Sequence, residues 1–524
     1  MKYNVTKTVE RVPTLQGGVG YKQDPKLELI GILSNDFKRN FYESMGDREK
    51  RFTELIKQIA KKDVEFVAKA MVYTRSVIGQ RSATHYGSVV LAPMLSGTEL
   101  GKRFYSKREK RVNKGGIVYR LDDMLEIVAC YMSLNPDKPL PNSMKKGFKL
   151  ALENADRYEL AKYQAKNKGV SLVDLVNLVH PKPAKEMEAT FKELMTGELK
   201  QFNTVEDRNT KAGTEVAKKV KAGELTKEEA KEELKVAKTE NFADLITTKK
   251  IGYLALLRNL RNIIKTEDSK LLDSACELLV NKAFIEKSLV NPVQIDLALE
   301  IMLIEFAGRD LAKVAKALEA AYELSIPNLA KLLPEGRTAV VFDTSGSMSS
   351  DWNGGVKIDL NGRSVGINKT PVEKAALIAA TFAKGVYGDV YHFASTCSPI
   401  TGWNPNDSIN TLKRTFASNI GRVGHGTNFS SIFQTLEGAN KAYDRIVIIT
   451  DEQDGGRVEN DYKRYCAKFG TPYIYMINIV GYGPSVMKGK VLRLFGYSAD
   501  IYEKASRIEI DPKALLKDIE AIII

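Results

Sequence analysis

The chain has 524 residues, which is too many for one ordinary hydrophobic core, so two or three domains are expected. Its composition, 43% hydrophobic and 27% charged, is that of a globular protein, and no run of 18 apolar residues is present that would cross a membrane. The net charge is +14, and residues 1–336 hold 57 basic and 46 acidic residues, so most of the excess lies there. This asymmetry favours a polyanionic partner for that part, although a well-solvated basic surface explains it as well.

The N-terminus is basic but lacks the apolar segment of a secretory signal, so we expect a cytoplasmic protein. The four cysteines lie far apart and form no CxxC pair. We therefore expect reduced thiols, with neither a zinc site nor a disulfide framework.

From Lys26 to about Ser325 the apolar residues recur at helical spacing, as in FTELIKQIAKKDVEFVAKAMVY and VQIDLALEIMLIEF. No convincing strand is seen in this part. A dozen or so short amphipathic helices suggest helix pairs stacked as a solenoid, although no fixed sequence period is present.

One segment within the helical part, residues 204–241, is nearly devoid of large apolar residues. Thr226 and Glu229 have the spacing of a capping box at the start of a helix. We predict a charged surface insertion, folded as an exposed helical hairpin.

After Pro334 the hydrophobic pattern changes to short β-branched runs, RTAVVF, DVYHFA, RIVIIT and PYIYMINI. Helical stretches such as PVEKAALIAATFAKGV lie between them, which indicates an open, parallel, doubly wound α/β sheet. A final capped helix is predicted to start at Asp511, with Pro512 in its first turn.

The stretch VVFDTSGSMSS places Asp343 where the first of these strands ends, the edge at which open α/β sheets bind ligands. It lacks the lysine of a phosphate-binding loop and the G-x-S-x-G of a hydrolase elbow. An aspartyl-phosphate phosphatase usually has a second carboxylate at the place of Ser345. None of these enzyme classes fits.

The residues Asp343, Ser345 and Ser347 instead resemble the metal-ion-dependent adhesion site of von Willebrand factor A domains. That motif continues with a threonine, matched by Thr427 in GHGTNFSS, and an aspartate after a later strand, matched by Asp451 in RIVIITDEQD. The resemblance implies a divalent ion and an acidic partner group at its open position. Mg²⁺ suits these oxygen ligands, and Mn²⁺ would also fit. The alternative is a capped loop that binds no metal.

The helical part contains LALLRNLRNI (254–263) and, earlier in the chain, GKRFYSKREKRVNKGGIVYR, LPNSMKKGFKLALE, YELAKYQAKNK and LVDLVNLVHPKP. These segments resemble, in order, parts of the TROVE module, the helical-repeat domain of the Ro ribonucleoprotein family. The resemblance covers nearly all of the chain except the insertion at 204–241. It implies an all-α, HEAT-like helical-repeat ring at residues 1–336, followed by an α/β von Willebrand factor A domain at 337–524.

The stretch from Lys102 to Arg120, called the basic segment below, is a candidate RNA surface. Its density of positive charge suits phosphate contacts, and Phe104, Tyr105 and Tyr119 are expected to offer stacking faces, although a solvated basic loop is the alternative. The predicted RNA-binding residues of this segment are Lys102, Arg103, Lys107, Arg108, Arg111, Lys114 and Arg120.

Three further residues, Lys162, Lys166 and His180, align with RNA-contacting positions of the Ro family, although a lone histidine is more often structural. The spacing of Lys162 and Lys166 predicts that they project from one helical face. Arg258 and Arg261 fit two readings equally, contact with RNA or contact between adjacent repeats.

The resemblance implies an RNA-binding protein without catalytic activity, acting on small Y-like RNA and on single-stranded 3′ ends of misfolded or immature RNA in quality control or maturation. A 3′-to-5′ exoribonuclease is the implied protein partner, and a monomer is expected. One alternative is a metal-dependent protein-interaction scaffold with incidental RNA binding. Another is a nuclease or phosphatase built on Asp343 and Asp451, but no nucleophile or general base stands beside them.

Overall fold

The protein is described from a computed structural model. The description covers residues 10–35, 41–109, 111–164, 169–199, 205–288, 290, 292–306, 308–325, 335–349, 356–360, 363–367, 370–488, 490–496, 501, 507, 511 and 513–524. The chain packs into two units, one of residues 1–155, 166–183 and 328–524, the other of 156–165 and 184–327. This packing combines N-terminal helices with the α/β sheet in one unit, and the sequence boundary at 336 stays a prediction.

The first unit begins with a short antiparallel hairpin of strands β1 and β2, followed by helices. Its elements before residue 184 are β1 (Arg11–Pro13), β2 (Val19–Tyr21), α1 (Pro25–Ser34), α2 (Met45–Tyr73), a π-helix (Thr74–Ile78), α3 (Ser82–Leu95), α4 (Glu99–Phe104), β3 (Arg108–Glu109), β4 (Lys114–Gly115), α5 (Leu121–Leu134), α6 (Asn142–Glu153) and α8 (Leu172–Val179). The expectation of no strand between Lys26 and Ser325 is wrong at β3 and β4, which pair for only two residues each. Alternation over two residues is too short to be seen in a sequence.

The second unit is helical in its described residues. It contains α7 (Arg157–Tyr163), a 3₁₀ turn (Lys185–Met187), α9 (Glu188–Thr196), α10 (Val205–Lys221), α11 (Lys227–Thr247), α12 (Tyr253–Thr266), α13 (Ser269–Leu279), α14 (Lys282–Ser288), α15 (Pro292–Glu305) and α16 (Ala312–Leu324). Helices α10 and α11 form the predicted charged hairpin. The capping box is confirmed, since Glu229 N–H donates to Thr226 Oγ1 (3.2 Å) and Thr226 N–H donates to Glu229 Oε2 (2.8 Å).

The rest of the first unit is an α/β fold on a six-stranded sheet, which confirms the predicted fold class of helical repeats followed by a doubly wound domain. Its elements are β5 (Thr338–Asp343), α17 (Gly346–Ser349), β6 (Val356–Leu360), β7 (Arg363–Ile367), α18 (Pro371–Val386), β8 (Asp389–Phe393), β9 (Cys397–Pro399), α19 (Ile409–Ala417), α20 (Ser430–Gly438), β10 (Arg445–Thr450), α21 (Glu459–Phe469), β11 (Tyr473–Asn478), β12 (Val491–Phe495) and α22 (Ala514–Glu520).

The strand order is β12-β11-β10-β5-β8-β9, and β5 lies parallel to both of its neighbours. Every residue of β5 and of β10 is buried, because helices cover both faces of a parallel sheet. The prediction of a purely parallel sheet is wrong at one edge, where the three-residue strand β9 runs antiparallel to β8.

The final helix begins at Ala514, later than the predicted start at Asp511. Asp511 Oδ1 accepts a hydrogen bond from Lys513 N–H (3.0 Å), so Asp511 caps a turn that precedes the helix. Pro512 lies outside the described residues.

Candidate functional site

The predicted metal residues meet at the carboxyl edge of the sheet. Asp343 ends β5 and Asp451 follows β10, and these strands are parallel neighbours, so both carboxylates emerge at the same edge. Thr450 Oγ1 donates to Asp343 Oδ2 (2.6 Å) and joins the two strand ends. Ser345 N–H donates to Asp343 Oδ1 (2.8 Å), which turns the chain sharply after the strand.

The loops that carry the three hydroxyl residues of the set lie beside one another. The Oγ atoms of Ser345 and Ser347 lie 3.2 Å apart. Gly346 N–H donates to the carbonyl of His425 (2.8 Å), and Gly455 N–H donates to the carbonyl of Thr427 (3.0 Å). The loop that carries Thr427 is therefore fixed to both the serine turn and the Asp451 loop, and the fold brings all three loops together.

The two carboxyl groups share a buried, strongly anionic environment. Burial raises the pKa of Asp343, against hydrogen bonds from Thr450 and Ser345. Burial and the neighbouring charge of Asp343 raise the pKa of Asp451, and Ser347 opposes the shift only in part. Hydroxyls and backbone amides, which carry no positive charge, donate hydrogen bonds to these carboxylates.

A divalent cation would remove this electrostatic conflict. Asp451 Oδ2 is buried and has no hydrogen-bond partner among the described residues, as expected of an oxygen that contacts a metal. Two carboxylates with three hydroxyls also form a hard-oxygen set that Mg²⁺ or Mn²⁺ prefers. Among the described residues, no group of three or more His, Cys, Asp or Glu side chains is placed to hold a metal ion.

An N-terminal hairpin that sequence reasoning missed holds the Asp451 loop. Thr14 Oγ1 donates to the carbonyl of Asp454 (2.7 Å), and Leu15 N–H donates to Gln453 Oε1 (2.7 Å). A Cβ at Gly18 would collide with the backbone carbonyl of Asp454, so only glycine permits this approach. The signal was the pair of glycines in LQGGVG, which indicates a turn but not what the turn contacts.

Among the described basic residues of the basic segment, Arg103, Arg111 and Lys114 are exposed and Lys102 is half-exposed. Lys107 is half-buried, and its Nζ donates to the carbonyl of Asn154 (2.8 Å). Lys102, Arg103, Arg111 and Lys114 are therefore exposed enough for a phosphate group to reach them.

Two other basic residues of the segment are committed to protein contacts. Arg120 pairs with Asp122 (2.9 Å). Arg108 is only 1% exposed, and its guanidinium donates to the carbonyls of Gly115 (2.6 Å) and Ile523 (2.8 Å). Its predicted contact with RNA does not fit this geometry, because the side chain holds the β3–β4 turn and the C-terminal residues together.

The aromatic residues do not supply the expected stacking platform. Phe104 and Tyr105 are fully buried, and the Tyr105 hydroxyl donates to the carbonyl of Ser88 (2.6 Å). Tyr119 is half-buried beneath Arg75, whose guanidinium carbon lies 5.1 Å from the ring centroid. The stacking prediction for Phe104 and Tyr105 is therefore wrong, since both rings belong to the helical core.

The residues aligned with the family lie at two places. Lys162 is exposed on α7, with its Nζ 5.3 Å from the ring centroid of Tyr158, whereas Lys166 lies outside the described residues. His180 is exposed and has a left-handed backbone (φ 47°) at the end of α8. Its N–H donates to the carbonyl of Val176 (2.9 Å), so the backbone caps the helix and leaves the ring at the surface.

Comparison with known protein families identifies a domain in the helical part. Residues 21–241 match the model of the TROVE domain. The chain carries a TROVE domain. No curated protein sequence matches it.

The fold is similar to that of the crystal structure of the Deinococcus radiodurans Ro (RSR) protein. The TM-score is 0.55 at 16% sequence identity, over 92% of this chain and 100% of that chain. At such identity the likeness concerns the fold. The TROVE match agrees with the predicted resemblance to the Ro family, and the likeness to the Ro structure shows the same fold.

The segment 254–263 lies beyond the matched TROVE residues, although it contributed to the resemblance. It forms most of α12, where Arg261 pairs with Glu305 of α15 (3.2 Å) and Arg258 is exposed. For Arg261 this geometry favours contact between neighbouring helices.

Two further expectations concern the cysteines and membrane-spanning helices. All four cysteines are unpaired thiols. Within the described part of the chain, no helix combines the length and the apolarity needed to cross a membrane.

Proposed function

We propose that this TROVE-domain protein binds structured noncoding RNA, of the Y-like class, and the single-stranded 3′ ends of misfolded or immature RNA. The observation that carries the proposal is the TROVE match at residues 21–241, within which lies an exposed group of basic side chains. Phosphate neutralisation by such side chains releases counterions, which gives affinity without sequence specificity. A single-stranded 3′ end exposes its bases, so recognition of that end lets the protein distinguish one RNA from another.

The α/β sheet carries the second part of the proposal, a divalent-metal site formed by Asp343, Ser345, Ser347, Thr427 and Asp451. Bound Mg²⁺ or Mn²⁺ would supply an electrophilic position for an acidic group of a partner. The protein's own residues bind and orient the ion, and neither a nucleophile nor a general base was found beside them in the sequence. We therefore propose a binding role without catalysis. A 3′-to-5′ exoribonuclease partner, a monomeric state and a cytoplasmic location remain predictions from sequence and family resemblance.

The RNA proposal is tested by binding a hairpin RNA with and without a single-stranded 3′ tail to the purified chain across a salt series. We expect tighter binding of the tailed RNA and a linear fall of log affinity with log salt concentration. The test variant reverses Lys102, Arg111 and Lys114 to Glu, and leaves Arg103 and Arg108 intact because both bond to C-terminal carbonyls. Its salt slope should fall by about one for each phosphate that the variant no longer neutralises, or about three in total.

A matched control reverses three exposed lysines of the α10–α11 hairpin, Lys218, Lys221 and Lys231. It changes the net charge by the same amount at a different place. Equal losses in the two variants would mean that only the total charge matters, and would remove the basic segment from the proposal. Binding that ignores the 3′ tail would favour the scaffold alternative, in which the metal site does the main work.

A further inference from the structure

All five residues of the proposed metal site are buried, with Ser347 the most exposed at 7%. A partner's acidic group therefore cannot reach the site unless something that covers it moves aside. The segment Phe41–Ser44, which the sequence did not single out, brings the side chain of Tyr42 to Ser347.

The hydroxyl of Tyr42 reaches the metal residues. Its side chain is hydrogen-bonded to that of Ser347. Burial, followed by the charges of Asp451 and Asp343, raises the pKa of Tyr42 to about 12. Tyr42 is half-buried, and the residue that its side chain contacts at the site is Ser347.

Contacts of its neighbours hold Tyr42 in this position. Tyr42 N–H donates to the hydroxyl of Tyr482 (3.0 Å), and the two rings meet edge to face with centroids 5.8 Å apart. The carboxylate of Glu43 accepts from Arg51 Nε (2.7 Å), and Arg51 also donates to the carbonyl of Gly481 (3.0 Å). The segment is thereby fixed to the loop that follows β11, next to the strand that carries Asp451.

We propose that Tyr42 is an internal cap of the metal site, whose hydroxyl takes the place that an acidic group of a partner would occupy. The inference rests on the metal site proposed above. It gives the site a closed state, and an incoming carboxylate must displace the phenol from Ser347 before it binds. Space filling alone does not account for a tyrosine, because it is the hydroxyl that contacts the polar cluster.

The test uses the full chain loaded with Mn²⁺, with acetate as the carboxylate probe. Water-proton relaxation reports how readily water exchanges at the bound ion, and titration with acetate reports access by a carboxylate. The variants are Tyr42→Phe, which keeps the ring, and Tyr42→Ala, which removes the cap. Phe41→Ala is the matched control, because Phe41 is exposed and its ring packs against that of Tyr42 at 4.8 Å.

We expect Tyr42→Ala to increase the relaxation enhancement and to strengthen acetate binding about threefold or more, since no hydrogen bond must be broken on entry. Tyr42→Phe should give a smaller change in the same direction, and Phe41→Ala should match the wild type. Equal relaxation and acetate affinity in all four proteins, with Mn²⁺ bound, would overturn the cap and leave the metal site standing. Absence of Mn²⁺ binding in the wild type would remove the metal site and the cap with it.

Discussion

The substitution Asp451→Asn should have opposite effects on stability in the absence and in the presence of a divalent metal. In the metal-free protein, Asp451 is a buried carboxyl whose pKa is raised by burial and by Asp343. Such a group binds its proton more tightly in the folded than in the unfolded state, so stability falls as pH rises from the ordinary pKa to the raised one. At a pH above the raised pKa, each unit by which folding raises the pKa lowers the free energy of unfolding by about 1.4 kcal/mol. Asn removes the charge and keeps the shape.

We expect metal-free Asp451→Asn to be about 1–3 kcal/mol more stable than the wild type at pH 8, because the neutral amide is not repelled by the charge of Asp343. Its Oδ1 can still accept from Gln453 N–H, a bond of 3.1 Å in the wild type. With Mg²⁺ at 100 times its Kd, the wild type gains about 2.7 kcal/mol and the variant gains little. The order of stability should then be lost or reversed.

Thermal unfolding in EDTA and in Mg²⁺ measures both effects, with roughly 2–4 °C of Tm for each kcal/mol. The control is Asp389→Asn, which lies at the start of β8 and pairs with Lys441 at the opposite edge of the sheet. It should lower Tm slightly and leave the response to Mg²⁺ unchanged. A variant Asp451→Asn that is less stable than the wild type in EDTA, yet gains as much from Mg²⁺, would refute the reasoning.

Three further predictions concern contacts around the sites. Gly18→Ala should weaken Mn²⁺ binding, measured by calorimetry, because its Cβ collides with the Asp454 carbonyl; Gly213→Ala, with open space around it, should not. Asp123→Asn should cost about 3–5 kcal/mol in urea unfolding, because it breaks a fully buried pair with Arg75, whereas Glu193→Gln in an exposed pair should cost less than about 1 kcal/mol. Burial alone would raise the pKa of Asp123, but hydrogen bonding to His85 and the charge of Arg75 lower it. The stability from this pair should therefore be complete above the ordinary pKa of Asp and fall steadily as the pH drops from there toward the lowered pKa, which urea unfolding over a pH series measures.

The meeting of Asp343 and Asp451, two residues of the proposed metal site, could be predicted from the sequence because each stands at the end of a strand. A buried strand followed by Asp or Ser fixes both the edge of the sheet and the direction of the side chain, and parallel neighbours bring such ends together. Asp343 and Asp451 met this condition, and their strands were found within one or two residues. The same reasoning failed for β9, because three residues carry too little periodicity to predict a direction.

The basic segment shows why composition alone does not identify a binding surface. A prediction from charge density cannot distinguish Arg108 from Arg111. In the structure, Arg108 is buried against backbone carbonyls and Arg111 is exposed. Arginine offers five donors in a fixed fork, so it serves to hold carbonyls of distant segments as readily as phosphates. The partner that distinguished the two residues was the carbonyl of Ile523, which lies 415 residues away in the sequence.

The same difficulty explains why the N-terminal residues that contact the proposed metal site were missed. Tyr42 and the hairpin that contains Thr14 come from the N-terminal end of the chain, but they contact the loops around Asp451 and Ser347. Local patterns predict a helix, a strand or a turn, and neither Tyr42 nor LQGGVG carries a mark of its long-range partner. If the cap responds to a ligand at the metal site, its displacement will also act on α2, because Ser44 caps that helix two residues later. A ligand bound at the proposed metal site would then change the N-terminal cap of α2, although the two places are far apart in sequence.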